Sequence, residues 1–494
     1  MGIDIGTSGV KVLLIDTEGN ILSEATTQQN VIHVNPTWTE QDPETWWQNT
    51  ISSINKVLSD SLSLPYPIDI SCIGITGQMH SSVFLDDSGD SIRPAILWND
   101  SRTTLQCKHI HDSVGMDFLY NEIGNLALEG FTAPKILWLQ ENEPHHYERV
   151  DRIIMPKDYI RYRMTGELGT DHSDAAGTIL YNVRNRKWSN VLLEALKIDS
   201  NILPTICDST DICGSVSNLV ASELGLKKGI PVVFGGADNA VGAVSSGVVK
   251  TGQSQSSLGT SGTLLTPISK PNVTQEMNLH LFTHCLSDKW YLMGTILSAG
   301  NSLKWLKENF ASEETYESLV QKGSQIGPGA EGLIFLPYLN GERTPHNNSK
   351  AKGVFFGIHS EHRLSHFTKA VLEGVCFAIK DTSEIIKTLG ISLNTVRGIG
   401  GGNQNRAWKQ IQSDILNLPV SNISPGGGPS YGAAMLASVG VGHFSSINDC
   451  VDSWINETDI IQPNNLNVKL YESIYETYKS LYPVLEDSFN ATNS

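Results

Sequence analysis

A chain of 494 residues is longer than one hydrophobic core sustains, so at least two domains are expected; with 39% hydrophobic and 18% charged residues it is neither disordered nor fibrous. Asp and Glu outnumber Lys and Arg by 52 to 35, a formal net charge of -17, which argues against nucleic acid or an anionic membrane as a partner. Seven scattered cysteines without a C-x-x-C pair, no apolar run of about 18 residues and no leader pattern predict a cytoplasmic protein with reduced thiols.

The chain opens with a strand at residues 2–5, a tight turn Gly6-Thr7-Ser8-Gly9, a returning strand at 10–16 and a third at 21–27, a β-meander. Asp42 as N-cap and Pro43 at the first position then start a helix. Its Trp46 and Trp47 fall at helical spacing with aliphatic residues, which places them in the core in preference to a sugar-stacking face. Two apolar runs, 71–77 and 231–236, read as buried strands ending in glycine. Each delivers polar residues at its carboxyl end, Gln78-Met79-His80 and Asp238-Asn239, where open α/β sheets bind ligands.

Residues 5–9 recur half a chain later as Leu258-Gly259-Thr260-Ser261-Gly262, again between strand-like runs, 254–258 and 263–268. The repeat implies two similar domains, each opening with a phosphate-sized hairpin turn, and the boundary is placed at 1–245 and 246–494. In the second half a strand at 396–399 runs into Gly400-Gly401-Gly402, followed by a helix over 405–416. Gly426 to Gly428 precede a small-residue helix over 431–437, able to pack very closely on a neighbour. A helix is expected over 470–481 and a frayed end over 487–494. Cys107, His109 and His111 lack a second ligand cluster and read as a solvated face in preference to a metal site.

Paired Gly/Ser/Thr turns can direct backbone N–H groups and hydroxyls at a polyphosphate, and glycine lets the backbone approach it. Neither is a Walker A loop, since no Gly-Lys-Ser/Thr follows and a strand comes next. Transfer of a phosphoryl group to an alcohol needs a metal on the phosphates and a carboxylate to take the hydroxyl proton. Asp4 beside the first turn suits the former and Asp238 after Gly235-Gly236 the latter.

These segments, together with Pro94 to Arg102, Gly130 to Lys135, Met155 to Tyr159, Ser173 to Gly177 and Leu336 to Asn348, resemble the FGGY carbohydrate kinases of the sugar kinase, actin and heat-shock ATPase superfamily, and in particular its xylulose-phosphorylating members. The resemblance covers nearly the whole chain. It implies an α/β fold of two actin-like (ribonuclease H-like) domains around a deep cleft, an N-terminal one carrying the sugar site and base and a C-terminal one carrying the nucleotide. It implies ATP-dependent phosphorylation of D-xylulose in pentose catabolism, with Mg2+ as cofactor and room for a homodimer. By position, Asp238 matches the catalytic base and Asp4 the metal-associated aspartate. Gln78, Met79, His80 and Asn239 join Asp238 around the sugar. Thr7, Ser8, Gly259, Thr260 and Ser261 fall in the phosphate turns, and Gly401, Gly402 and Asn405 in the nucleotide loop. Asn99, Asp100, Arg102 and Arg343 are divided between ligand contact and a structural network. Ser81 replaces a glycine frequent in the family, which would tighten the sugar pocket. The rivals are a family member acting on gluconate, ribulose or glycerol, and an actin-like ATPase or sugar sensor.

Overall fold

In the computed structural model, which describes residues 1–491, alternation sets the first strand. Ile3 and Ile5 of β1 (Gly2–Ile5) are fully buried, and Asp4 between them faces the other way. β2 (Gly9–Ile15) and β3 (Ile21–Gln28) complete the antiparallel meander. Helix α1 (Pro43–Ser61), whose first turn is capped by the Asp42 carboxylate, lays Trp46 and Trp47 against β2 and β3 with no exposed surface. β4 (Gly74–Gly77) and β5 (Gly236–Ala237) add in parallel, giving the order β5-β4-β1-β2-β3. The run 231–236, expected as one strand, is broken at Gly235. Its φ is 74°, and a Cβ there would lie 1.7 Å from the Ile75 carbonyl oxygen, so the chain steps sideways before it re-enters the sheet.

After helix α2 (Asp238–Ser245) the second half repeats the plan. β6 (Gln253–Leu258), β7 (Gly262–Ile268), an edge strand β8 (His280–Thr283) and β9 (Trp290–Ile296) are mutually antiparallel. Helix α3 (Gly300–Phe310) follows. β10 (Thr395–Ile399) then pairs in parallel with β6, helix α4 (Arg406–Leu416) crosses over, and β11 (Val420–Ser424) pairs in parallel with β10. β9-β7-β6-β10-β11 thus matches β3-β2-β1-β4-β5 strand for strand, the duplicated α/β plan of the two-domain actin-like fold.

Helix α5 (Gly428–Gly440), from the second half, packs on β1 and β4 of the first sheet and on α2. It does so backbone to backbone. A Cβ on Gly2 would lie 1.9 Å from Ser430 O, one on Gly74 1.9 Å from Ala433 O, and one on Gly432 2.3 Å from Val241 O. The close approach expected of the small-residue helix is therefore real, and its partners are glycines of β1 and β4. After an edge strand, β12 (Asn456–Ile461), the C-terminal helix α6 (Asn465–Ala491) is longer than the expected 470–481. Tyr471 and Tyr475 donate to buried Glu373 and Asp381 at 2.7 and 2.6 Å, and Phe489 is still buried, which holds 487–491 helical. Residues 492–494 of the segment expected to fray lie outside the described ones. Among the described residues no helix is long and apolar enough to cross a membrane.

Gly74→Ala should destabilise the protein by about 2–4 kcal/mol, because the new methyl meets a main-chain oxygen that cannot swing away. Gly327→Ala, where nothing lies within 4 Å of the added carbon, should stay within about 0.5 kcal/mol of the parent. Urea midpoints read both, and equal midpoints for the two variants would contradict the tight crossing.

Candidate active site

Each hairpin turn is closed by the N–H of its first glycine, in the first turn on Gly9 O three residues on and in the second on Ser261 O two residues on, both at 3.1 Å. Ser8, Thr260 and Ser261 are left exposed. Their surroundings differ. The second turn receives the start of α3, with Gly300 N–H donating to Gly259 O at 2.8 Å and Ala299 N–H to Thr260 O at 3.0 Å. The first is tied to the end of β4 and to Trp98. Thr7 Oγ1 accepts from Trp98 Nε1 at 2.9 Å and donates to Gln78 Oε1 at 3.0 Å, and Thr7 O accepts from Gln41 Nε2 at 2.7 Å.

That network takes in Gln78, expected beside the sugar. Its oxygen accepts from Thr7 and Ser81 and its amide donates to Gln41 Oε1 at 3.0 Å, all out of solvent. Gln78 is a buried strut between the first turn and the β4 end. Ser81 is likewise engaged, accepting from Trp98 N–H at 3.1 Å. Asp100 and Arg102 form a buried ion pair that Glu40 joins, with the Arg102 guanidinium 4.3 Å over Trp38. Asn99 Oδ1 accepts from Thr39 Oγ1. These three belong to a structural network, whereas Arg343 lines the cleft.

Asp238 is the first residue of α2 and half-buried. The strap before it is held rigidly: Thr76 Oγ1 donates to Gly236 O at 2.7 Å, and Ala237 N–H donates to Ser173 Oγ at 2.9 Å. Ser173 in turn leans on Asp171, which belongs to a solvent-free cluster with Asp158 and Asp174 around Lys157 Nζ, at 2.6 to 3.1 Å. Burial pushes the Asp238 carboxyl up to about 6, against hydrogen bonds from Asn239 and Met79 that favour its ionised form. Asp4 is raised further, to about 7, by burial and then by the negative charge of Asp238. Two acidic groups thus share one desolvated spot beside the first turn.

Asp238 and Asn239 stand on the border of two cavities. The smaller, about 190 Å3, is closed by Met79, His80, Trp98, Phe131 and, from the second sheet, Phe282 and Thr295. His80 adopts φ 68°; its carbonyl is clamped by Lys135 Nζ at 2.9 Å and Thr132 Oγ1 at 3.1 Å. Its Nδ1 meets Gly177 O at 2.7 Å, which fixes the tautomer with Nδ1 protonated and leaves Nε2 as an acceptor. Burial lowers His80 to about 3, so the ring is neutral across the physiological range. The larger cavity, about 750 Å3, runs from Asp238 past Ser261 and Thr263 to Gly398–Gly400 and Pro429. Through Gln404 it meets a groove of about 610 Å3 between the second turn, Gly300, Lys304, Tyr316, Gly401–Gly402 and Asn405. Asn405 Oδ1 caps α4 through Ala407 and Trp408 N–H, so its amide NH2 is the part left for a ligand. The expected residues of the second turn and of the glycine loop therefore line one path that ends at Asp238, whereas Thr7 and Ser8 of the first turn line none of the three cavities.

Cys107 is buried and His111 Nε2 accepts from Ala127 N–H, so that stretch is less solvated than expected. Among the described residues no three His, Cys, Asp or Glu side chains converge on a metal position.

The model of the FGGY family of carbohydrate kinases matches residues 1–245 with its N-terminal domain and 255–441 with its C-terminal domain. The chain belongs to this family. As an FGGY carbohydrate kinase it is a phosphotransferase with an alcohol acceptor, and sugar kinases of this family use ATP. It is 39% identical over 482 residues to a xylulose kinase of Staphylococcus epidermidis, covering 98% of this chain and 96% of the relative. It is 39% identical over 494 residues to a xylulose kinase of Bacillus subtilis, covering 100% and 98%. Among solved structures, a xyloylose kinase from Brucella ovis superposes with a TM-score of 0.91 at 33% identity, covering 98% of this chain and 99% of that one.

Sequence reasoning missed the aromatic wall of the small cavity. Trp98 and Phe131 lay inside segments that resembled the family, but nothing in their local pattern marks a cavity wall. Phe282 and His280 come from an edge strand of the other sheet and carry no signal in sequence at all.

With the Asp238 carboxyl near 6, a reaction in which it takes the proton should lose about tenfold in kcat/KM per pH unit below that value and level off above it, since a base must be ionised to accept a proton. His80, neutral throughout, should add no limb near 6.5. An acid limb near 4 in the pH-rate profile would contradict the desolvated environment.

Proposed function

We propose that the protein transfers the γ-phosphoryl group of ATP to the terminal hydroxyl of D-xylulose, forming xylulose 5-phosphate. The observation that carries this reading is the division of the cleft at Asp238. The small cavity, about 190 Å3, is below the roughly 300–1,000 Å3 of drug-sized sites and suits a five-carbon sugar, while the long path beyond Asp238 suits a nucleotide. The relatives at 39% identity are xylulose kinases, which favours xylulose over gluconate, ribulose or glycerol.

In this reading Met79, His80 and Asn239 hold the sugar, His80 Nε2 accepting from a hydroxyl. Asp238 orients the terminal hydroxyl at the cavity border and takes its proton as the oxygen bonds to phosphorus. The N–H groups of Thr7, Ser8, Thr260 and Ser261 and the hydroxyls of Ser8, Thr260 and Ser261 bind the phosphate oxygens, and the groove beside Gly401, Gly402 and Asn405 takes the nucleoside. Asp4 suits a Mg2+ ion: burial and the neighbouring Asp238 charge outweigh the opposing Lys11, so its carboxylate gains from a further cation, and Mg2+ is ordinarily bound by one or two carboxylates together with substrate phosphates. When bound, Mg2+ would neutralise charge on the phosphates. The enclosed sugar cavity keeps water from the position of the accepting hydroxyl.

Initial rates of ADP release with D-xylulose, ribulose, gluconate and glycerol test the substrate, and Asp238→Ala tests the base. D-xylulose should give the highest kcat/KM, and the variant should lose roughly 10^2- to 10^4-fold in kcat with an unchanged melting curve. A different best substrate overturns the specificity, and an active Asp238→Ala overturns the mechanism.

A further inference from the structure

Strand β8 is the edge of the second sheet, yet its outer side is not bare. Asn125, fully buried and supplied by the first half of the chain, stands where a further strand would pair. Its Nδ2 donates to Leu281 O at 2.6 Å and its Oδ1 accepts from Leu281 N–H at 3.3 Å. That double contact fixes the orientation of the amide, because the reverse one would set NH2 against N–H and oxygen against oxygen. The same Oδ1 also accepts from His280 Nδ1 at 3.1 Å. An amide oxygen only accepts, so the imidazole proton is on Nδ1 and Nε2 carries a lone pair.

Strand register sets where that lone pair is offered. His280 pairs opposite Met293 and Thr263 opposite Thr295, and alternation puts Phe282 on the face of His280. All five line the small cavity. The His280 ring is stacked on Phe282, with centroids 5.7 Å apart and planes at 21°, and meets the edge of Phe131 at 5.8 Å. Its Nε2 has no hydrogen-bond partner among the described residues, and it is not sealed in the interior as Nε2 of His284 and His362 are. Burial holds the ring neutral. His80, from the first half, is arranged alike, with Nδ1 on Gly177 O and Nε2 bare in the same cavity. An acceptor withdrawn from bulk water costs free energy until a donor meets it. In a wall made otherwise of aromatic rings the ligand group that satisfies it is a hydroxyl.

We propose that His280 is a sugar-binding residue whose Nε2 accepts a hydrogen bond from a hydroxyl of the sugar other than the one phosphorylated, with Asn125 as the positioning residue that fixes its tautomer. The assignment rests on the small cavity being the sugar site. It gives the sugar one imidazole acceptor from each half of the chain, and it makes a hydroxyl a requirement at one further carbon.

Isothermal titration of D-xylulose and its 1-, 3- and 4-deoxy analogues into the parent and His280→Phe tests the contact, with KM for ATP measured alongside. The substitution keeps a ring over Phe282 and removes both nitrogens; His280→Leu carries the test if the Phe variant melts early. Xylulose should bind the variant roughly 5- to 30-fold more weakly, with KM for ATP unchanged. One deoxy analogue, the one lacking the partnered hydroxyl, should bind parent and variant equally, while the other two show the full loss. Nitrogen-15 spectra of histidine-labelled protein, with His280 assigned by its absence from the variant, should show Nε2 unprotonated and shifted by xylulose, and Asn125→Ala should turn its signals into those of mixed tautomers. Unchanged xylulose affinity in a folded variant, an equal loss for all three analogues, a protonated Nε2 in the parent, or His280 signals indifferent to Asn125→Ala overturns the proposal alone. A parent that binds no xylulose sinks the underlying reading and the proposal with it.

Discussion

Everything at the reaction centre depends on one steric fact, the crossing of α5 over β1, β4 and α2 with no side chain between the backbones. Gly2, Gly74 and Gly432 each face a main-chain oxygen at a distance where a Cβ does not fit. Asp4 follows Gly2 by two residues on β1, and Asp238 opens the helix whose Val241 touches Gly432. The contact therefore sets the spacing of the two acidic groups directly. It also joins the halves of the chain, because α5 belongs to the second half by sequence and to the first sheet by packing. Interiors transmit small displacements instead of absorbing them, so a shift here moves both carboxyls relative to the phosphate turns.

Around that crossing the protein sustains an electrostatic cost. Asp4 and Asp238 are desolvated and resist ionisation, an arrangement that does not stabilise the fold and is common where proton transfer or cation binding is the task. The compensation lies behind the strap. Lys157 holds three buried aspartates, and through Asp171 and Ser173 that cluster fixes the Ala237 amide. Asp238, the proposed base, is thereby presented by rigid elements on both sides, a sheet end and a helix start. A reacting group gains from that preorganisation, since misplacement by about 1 Å can cost 10^2-fold in rate.

Much of this was legible in the chain, and the reasons differ by element. The two turns were readable because glycine spacing and a half-chain repeat leave few alternatives, and the duplicated strand order follows from them. The tight helix was readable from its small residues, although its partner was not, since Gly2 and Gly74 look like ordinary strand glycines. The strut made by Gln78 was not legible, because adjacency to Met79 and His80 suggests a shared role, while the left-handed turn at His80 sends successive side chains in different directions. The aromatic wall and the setting of Arg343 depend on strands brought together across some 150 residues or more. Local pattern carries no trace of such contacts. The C-terminal helix ran long because buried tyrosines anchor it, a tertiary effect that propensity does not register.

The central claim is that the cleft delivers phosphorus from ATP to one end of a small sugar and not to water. Phosphorus-31 NMR of a mixture of the protein, Mg-ATP and D-xylulose reads this directly. The account predicts one new phosphomonoester, coupled to the protons of carbon 5, growing in step with ADP and without inorganic phosphate. Inorganic phosphate as the main product, or an ester on carbon 1, would contradict it.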